Sequence, residues 1–198
     1  MSIIMNMLLF ALFGVFAQNL VFASGVGAER TLRIRPSLQH VLISSGAASF
    51  FSWIAVSGMH LIRLLQGRFP VLENLRVLLL VLVMAQVYLL IMVVANAISK
   101  SFFVFLTGAL PSAVFNSIII MAGITDQMLS LNYAQGTGYA IGTGAGFFVA
   151  TVLVQEAIDD VENPTMPSAF VGLPSLLIYI GILAMAFLGF TGGPSVFL

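Results

Sequence analysis

The residues with the most chemical potential are the few polar ones set inside long apolar runs. Gln18 and Asn19 adjoin each other within one apolar segment and are followed by Gly25 and Gly27. Gly108 and Pro111 interrupt a second such segment, and Asn116 and Ser117 follow. An amide in hydrocarbon must find a hydrogen-bond partner, so Asn19 and Asn116 are expected to face protein rather than lipid. Proline removes a backbone donor and crowds the preceding turn, so the second segment should kink or break near Pro111. Two readings stay open. Either these are broken helices meeting at a central polar site, or the amides only join helices by ordinary hydrogen bonds.

The other candidates are weaker. Glu156, Asp159, Asp160 and Glu162 form an acidic group that would attract cations at a pore mouth or simply lie in a solvated loop. His40 and His60 flank one apolar stretch, as a proton relay or as interfacial residues. Gly138, Gly142 and Gly146 recur every fourth residue on one helix face, a spacing that lets helix backbones approach closely. No strand precedes these glycines, so they are not a dinucleotide loop. The remaining carboxylates fall outside the spans, which weakens a simple proton-coupled transporter. There is no Ser/His/Asp arrangement, phosphate loop or metal-ligand cluster, and no catalytic residue is assigned. The chain has no cysteine, so it offers no disulfide, thiol nucleophile or thiolate metal ligand.

The elements that must hold these residues are membrane helices. Of 198 residues, 60% are hydrophobic and 7% charged, against about 25% charged in an ordinary soluble domain. The charges leave six long charge-free stretches, 1–28, 36–62, 77–99, 101–125, 127–155 and 163–198. A transmembrane helix needs roughly 20 mostly apolar residues, so each stretch holds one span. The expected spans are about 3–23, 38–60, 76–97, 101–122, 137–157 and 172–193, joined by short loops that make one membrane domain over 1–198. The first stretch lacks the basic start of a signal peptide and reads as a retained span. This composition excludes a soluble enzyme, a nucleic-acid binder, a disordered chain and a protein held by one anchor.

The chain also shows an internal similarity, which is either a true repeat or chance likeness between apolar segments. Ser45-Gly46-Ala47-Ala48-Ser49-Phe50-Phe51 resembles Thr143-Gly144-Ala145-Gly146-Phe147-Phe148, and the segment around Asn19 resembles that around Asn116. The two units, about 1–97 and 98–198, hold three spans each, so the second enters the membrane inverted, a plan that places functional sites at the repeat interface. Basic residues divide almost evenly between the two sides: Arg30, Arg33, Arg35 and Lys100 against Arg63, Arg68 and Arg76. The balance leans toward termini on the non-cytoplasmic side.

The C-terminal third carries the clearest family signal. Pro164-Thr165-Met166-Pro167-Ser168-Ala169-Phe170-Val171-Gly172-Leu173-Pro174, followed by Leu183-Ala184-Met185-Ala186-Phe187-Leu188-Gly189-Phe190-Thr191-Gly192, resembles the Rnf/Nqr integral membrane subunits, most of all the A component of Rnf or the E component of Nqr. Gln18-Asn19-Leu20-Val21, the run from Phe105 through Pro111 to Asn116, and Gln155-Glu156 agree with that family, although it usually has Arg before that Glu. The resemblance covers roughly half the chain. It implies a component of an ion-translocating electron-transfer complex in the inner membrane of a prokaryote, paired with a homologous six-helix subunit of opposite topology and with further redox subunits. It also implies an iron–sulfur centre shared between the two homologues through cysteines in spans one and four. Those cysteines would fall near Ala28 or Glu29 and at Ser117, where neither Ala nor Ser replaces a thiolate. The sequence therefore predicts an all-α protein of two inverted three-helix repeats, with spans one and four broken or kinked. It predicts no cofactor held by this chain. A small transporter or channel on the same scaffold, and a structural or assembly subunit, are the rival readings.

Overall fold

The computed structural model describes residues 2–27, 38–67, 69, 73–161 and 172–190. These residues form helices and turns, with no strand among them. In chain order they are α1 (Ile3–Leu12), a π-helical turn (Phe13–Ala17), α2 (Leu20–Ser24), α3 (Leu38–Gln66), α4 (Arg76–Ile98), α5 (Lys100–Val114), α6 (Ser117–Met128), α7 (Tyr133–Val161) and α8 (Leu173–Gly189). Among the described residues three stretches are long and apolar enough to cross a membrane: Leu38–Gln66, Arg76–Ile98 and Tyr133–Ile158. The shorter apolar helical stretches are Ile3–Ala17, Ser117–Met128 and Leu173–Gly189.

The helix α7 is the centre of the bundle. Of its apolar window 61% is buried, against 17% for α4, many of whose leucines and valines are exposed. Glycine makes this central place possible. A Cβ on Gly144 would overlap the Ser49 hydroxyl of α3, and a Cβ on Gly142 would overlap the backbone carbonyl of Ala11 in α1. The backbones of α1 and α3 therefore pack directly onto opposite flanks of α7. One apolar cluster joins Leu20, Val21 and Phe22 of α2 to Ile118 of α6 and to Tyr139, Phe147 and Val154 of α7. A second joins Phe51 and Met59 of α3 to Leu80 and Met84 of α4 and to Ile119 of α6. A side chain such as these contributes about 1.5–3 kcal/mol when transferred from water into the core.

Several boundaries move from the sequence expectation. The helix α3 continues to Gln66 rather than ending at 60, and α7 begins at Tyr133 rather than 137. The connection expected over 125–136 shrinks to 129–132, which places Asp126 inside α6. The fourth segment does break, but not at its proline. Helix α5 runs through Pro111 to Val114, and the interruption falls at Phe115 and Asn116, one turn later. Ala28, Glu29, Glu162, the loop arginines Arg30, Arg33, Arg35 and Arg68, and the motif over 164–171 lie outside the described residues.

Candidate functional site: two asparagine-capped helix breaks

The first break follows from a change in hydrogen-bond register. The Gln18 N–H donates to Phe13 O at 2.7 Å, a wide turn that closes the π segment. Asn19 then takes an extended backbone (φ −67°, ψ 110°) and begins a new helix. Its Oδ1 accepts from the N–H groups of Val21 at 3.1 Å and Phe22 at 3.5 Å. Its Nδ2 donates to Val15 O at 2.9 Å and to Gly146 O at 3.1 Å. One side chain thus caps the helix that follows, ties off the helix that precedes, and anchors both to α7. The break is buried, with Asn19 only 1% exposed. The Gln18 Oε1 is also buried and has no hydrogen-bond partner among the described residues.

The second break uses the same capping device. Asn116 is extended (φ −78°, ψ 134°), and its Oδ1 accepts from Ile118 N at 3.2 Å. Its carbonyl accepts from Ile119 N at 3.1 Å. In both breaks the asparagine consumes first-turn N–H groups that would otherwise be open to an anion. Ser117 opens α6 and is half-buried.

The two breaks share an environment. After α2 the chain turns through Gly25 and Gly27, both with positive φ (67° and 84°). A Cβ on Gly27 would overlap the side chain of Ile118, so the end of α2 abuts the start of α6. Gly138, Gly142 and Gly146 receive the first broken helix. Added Cβ atoms at Gly138 and Gly142 would overlap the backbone carbonyls of Met7 and Ala11, and one at Gly146 would lie 3.0 Å from both Asn19 Nδ2 and Gly14 O. Beside the first break opens a cavity of about 500 Å³, bounded by Gln18, Asn19 and Phe22, by Met121 and Thr125 of α6, and by Phe187 of α8.

Glu156 is exposed at the end of α7, Asp159 and Asp160 continue that helix, and Glu162 lies outside the described residues. Among the described residues no group of three His, Cys, Asp or Glu side chains is placed to hold a metal.

The sequence reading missed one polar site altogether. Asp126, expected in a loop, is 0% exposed in α6. Arg63 of α3 reaches it, with Nη2 3.3 Å from Oδ2, while Arg63 Nη1 donates to Leu131 O at 3.1 Å. His60 Nε2 lies 3.5 Å from the same oxygen. Gly136 makes the room, because a Cβ there would overlap Asp126 Oδ1. A faint signal was available: His60 and Arg63 stand three apart on one helix face, which is a ready clamp for one acid.

An iron–sulfur centre of the kind the resemblance implies does not fit these residues. The chain supplies no thiolate, and Ser117, at the head of α6, offers only a hydroxyl. No electron-transfer step is derived through this chain.

Comparison with known proteins agrees with the membrane scaffold. A family model described as "Rnf-Nqr subunit, membrane protein" matches residues 7–193. A relative from Glaesserella parasuis, named as the A component of an ion-translocating oxidoreductase complex, is 31% identical over 120 residues, 61% of this chain and 62% of that protein. The protein of the same name from Syntrophotalea carbinolica is 25% identical over 187 residues, 94% of this chain and 97% of that protein. A relative from Acetobacterium woodii, named as the A component of a Na(+)-translocating ferredoxin:NAD(+) oxidoreductase complex, is 22% identical over 188 residues, covering 95% and 98%. The alignment with the first of these relatives spans less than two thirds of its length, whereas the other two are matched almost end to end.

Proposed function

Because the chain belongs to the Rnf-Nqr family of membrane subunits, we propose that it is a membrane subunit of an ion-translocating electron-transfer complex. The match over residues 7–193 is the observation that carries this reading. The relatives are named as A components of ion-translocating oxidoreductase complexes, one of them of a ferredoxin:NAD(+) oxidoreductase. By analogy this chain works beside redox subunits that pass electrons from ferredoxin or NADH, and beside a homologous six-helix subunit of opposite topology. The complex sits in the inner membrane of a prokaryote, with the termini of this chain on the non-cytoplasmic side.

Its architecture in this proposal is six spans in two inverted repeats. Span one is α1, the π turn and α2, and span four is α5 and α6. Corresponding helices keep a nearly constant offset. Leu20 and Ser117 begin helices 97 positions apart, Leu38 and Tyr133 begin helices 95 apart, and Arg76 and Leu173 begin helices 97 apart. The helices α3 and α7 both have 29 residues. Three spans per unit make the second copy inverted.

The role of this chain in the complex is scaffold and ion path rather than electron carriage. Its helix breaks are closed by asparagine, not by metal ligation. Purification of the tagged chain from its native membrane in mild detergent, with mass spectrometry of what accompanies it, tests the proposal. Flavin-bearing and iron–sulfur subunits should be recovered. Recovery of the chain alone, or only with one close homologue, would overturn it in favour of a transporter built on the same scaffold.

A further inference from the structure

We propose that His60 and Asp126 form a proton-exchange site at the end of the helix bundle, gated by Arg63. The two oxygens of the carboxylate are unequally satisfied. Asp126 is fully buried, yet only Oδ2 has partners, Arg63 Nη2 at 3.3 Å and His60 Nε2 at 3.5 Å. Oδ1 is buried with no hydrogen-bond partner among the described residues, and His60 Nε2 likewise lacks one that meets hydrogen-bond geometry. A carboxylate that stayed ionised in a dry interior would need both oxygens satisfied. The space at Oδ1 is closed by Gly136, where not even a Cβ fits. It admits a proton but not a metal ion with its several oxygen ligands.

A route from water is present. The side chain of Asp126 is 0% exposed, that of His60 18% and that of Arg63 34%, so the imidazole stands between the acid and the solvent. A proton taken up at the other ring nitrogen, Nδ1, makes the imidazole cationic, and the proton on Nε2, buried against the acid, passes to the carboxylate. The N–H bond breaks, an O–H bond forms, the imidazole returns to its neutral state, and no electron is transferred. Neutral Asp126 no longer holds Arg63, which keeps its bond to Leu131 O.

The surroundings contain few competing groups. On α3 the titratable and charged groups near Asp126 are His60 and Arg63, and on α6 Asp126 itself is the sole one. On the α7 side Tyr133 packs edge-on to His60 with ring centres 5.5 Å apart, and Tyr139 is fully buried one turn beyond Gly136. The helix α4 also touches α6. It carries Arg76 at its start and Tyr88 against Phe115, before the opposite end of α6.

The site does not depend on membership of a redox complex, and its test reads protonation rather than transport. The chain has three aspartates, Asp126, Asp159 and Asp160. Replacing the last two (Asp159→Asn with Asp160→Asn) leaves Asp126 as the only aspartate without touching the site. Infrared difference spectra of this full-length protein, labelled with ¹³C-aspartate and reconstituted in lipid, should show a labelled carboxyl C=O band that appears on acidification. His60→Gln should slow its appearance after a pH jump on the order of 100-fold. Absence of a labelled carboxyl band at every pH at which the protein stays folded would overturn the proposal, leaving a permanent ion pair. An unchanged rate in His60→Gln would remove the histidine from the path and overturn it equally. A band that responds to Na⁺ at fixed pH, rather than to pH, would make the site a metal-cation site and refute the proton assignment.

Discussion

The two helix breaks solve one problem with different degrees of reinforcement. Each places an asparagine at an extended residue so that its Oδ1 caps the helix that follows. Asn19 does more. Its Nδ2 also binds Val15 O and Gly146 O, and the helix it ends lies against the glycine face of α7. Among the described residues, the Asn116 side chain is seen to cap its own helix. Two glycines in similar sequence settings, Gly46 and Gly144, also differ in their surroundings. A Cβ on Gly144 would overlap Ser49, whereas a Cβ on Gly46 would meet nothing within 4 Å. Among the described residues the first break is welded to α7 through Asn19, and the contacts seen at the second are those of its cap.

That comparison can be broken by substitution. The largest effect is expected at Gly142, where a side chain must displace the α1 backbone at Ala11. Gly142→Leu should cost about 3 kcal/mol or more and sharply lower the yield of folded protein. Gly46→Leu, facing open space, should be close to neutral. Equal losses in a thermal-unfolding assay in micelles would show that the close packing on α7 is not what distinguishes the two faces. Next come the asparagines. Asn19→Ala removes a cap and two carbonyl partners and should cost about 2–3 kcal/mol, whereas Asn116→Ala should cost about 1 kcal/mol. Denaturant titration of the two variants side by side decides this, and indistinguishable midpoints would refute the welding of the first break. The smallest change is expected for Pro111→Ala. Restoring a backbone donor and loosening the unfolded chain oppose each other, so stability should move by less than about 1 kcal/mol. A loss as large as that of Asn19→Ala would return the origin of the second break to the proline.

The helical class and the polar amides were legible because burial in lipid forces a sharp contrast between apolar runs and the residues that interrupt them. The acid at Asp126 was not legible. Its burial depends on Arg63 and His60, more than sixty positions away, and on the missing Cβ of Gly136. The spacing of His60 and Arg63 hints at a clamp for an acid but does not say which acid, and the charge of Asp126 itself argues for a loop. The site of the second break was misplaced for a related reason. Proline weakens a helix at a point, but the chain departs from helix where a side chain can take over the orphaned N–H groups. Here that side chain is Asn116, a turn beyond Pro111. The π turn before Asn19 left no trace in composition, since Phe13-Gly14-Val15-Phe16-Ala17 reads as ordinary apolar helix.

The central claim is that this chain serves an electron-driven ion translocase without carrying electrons itself. It is tested most directly in inverted vesicles from the native membrane, with the chain removed and then restored, by following ion uptake driven by a soluble electron donor. Uptake should disappear without the chain and return with it. Uptake that continues undiminished in its absence would contradict the account.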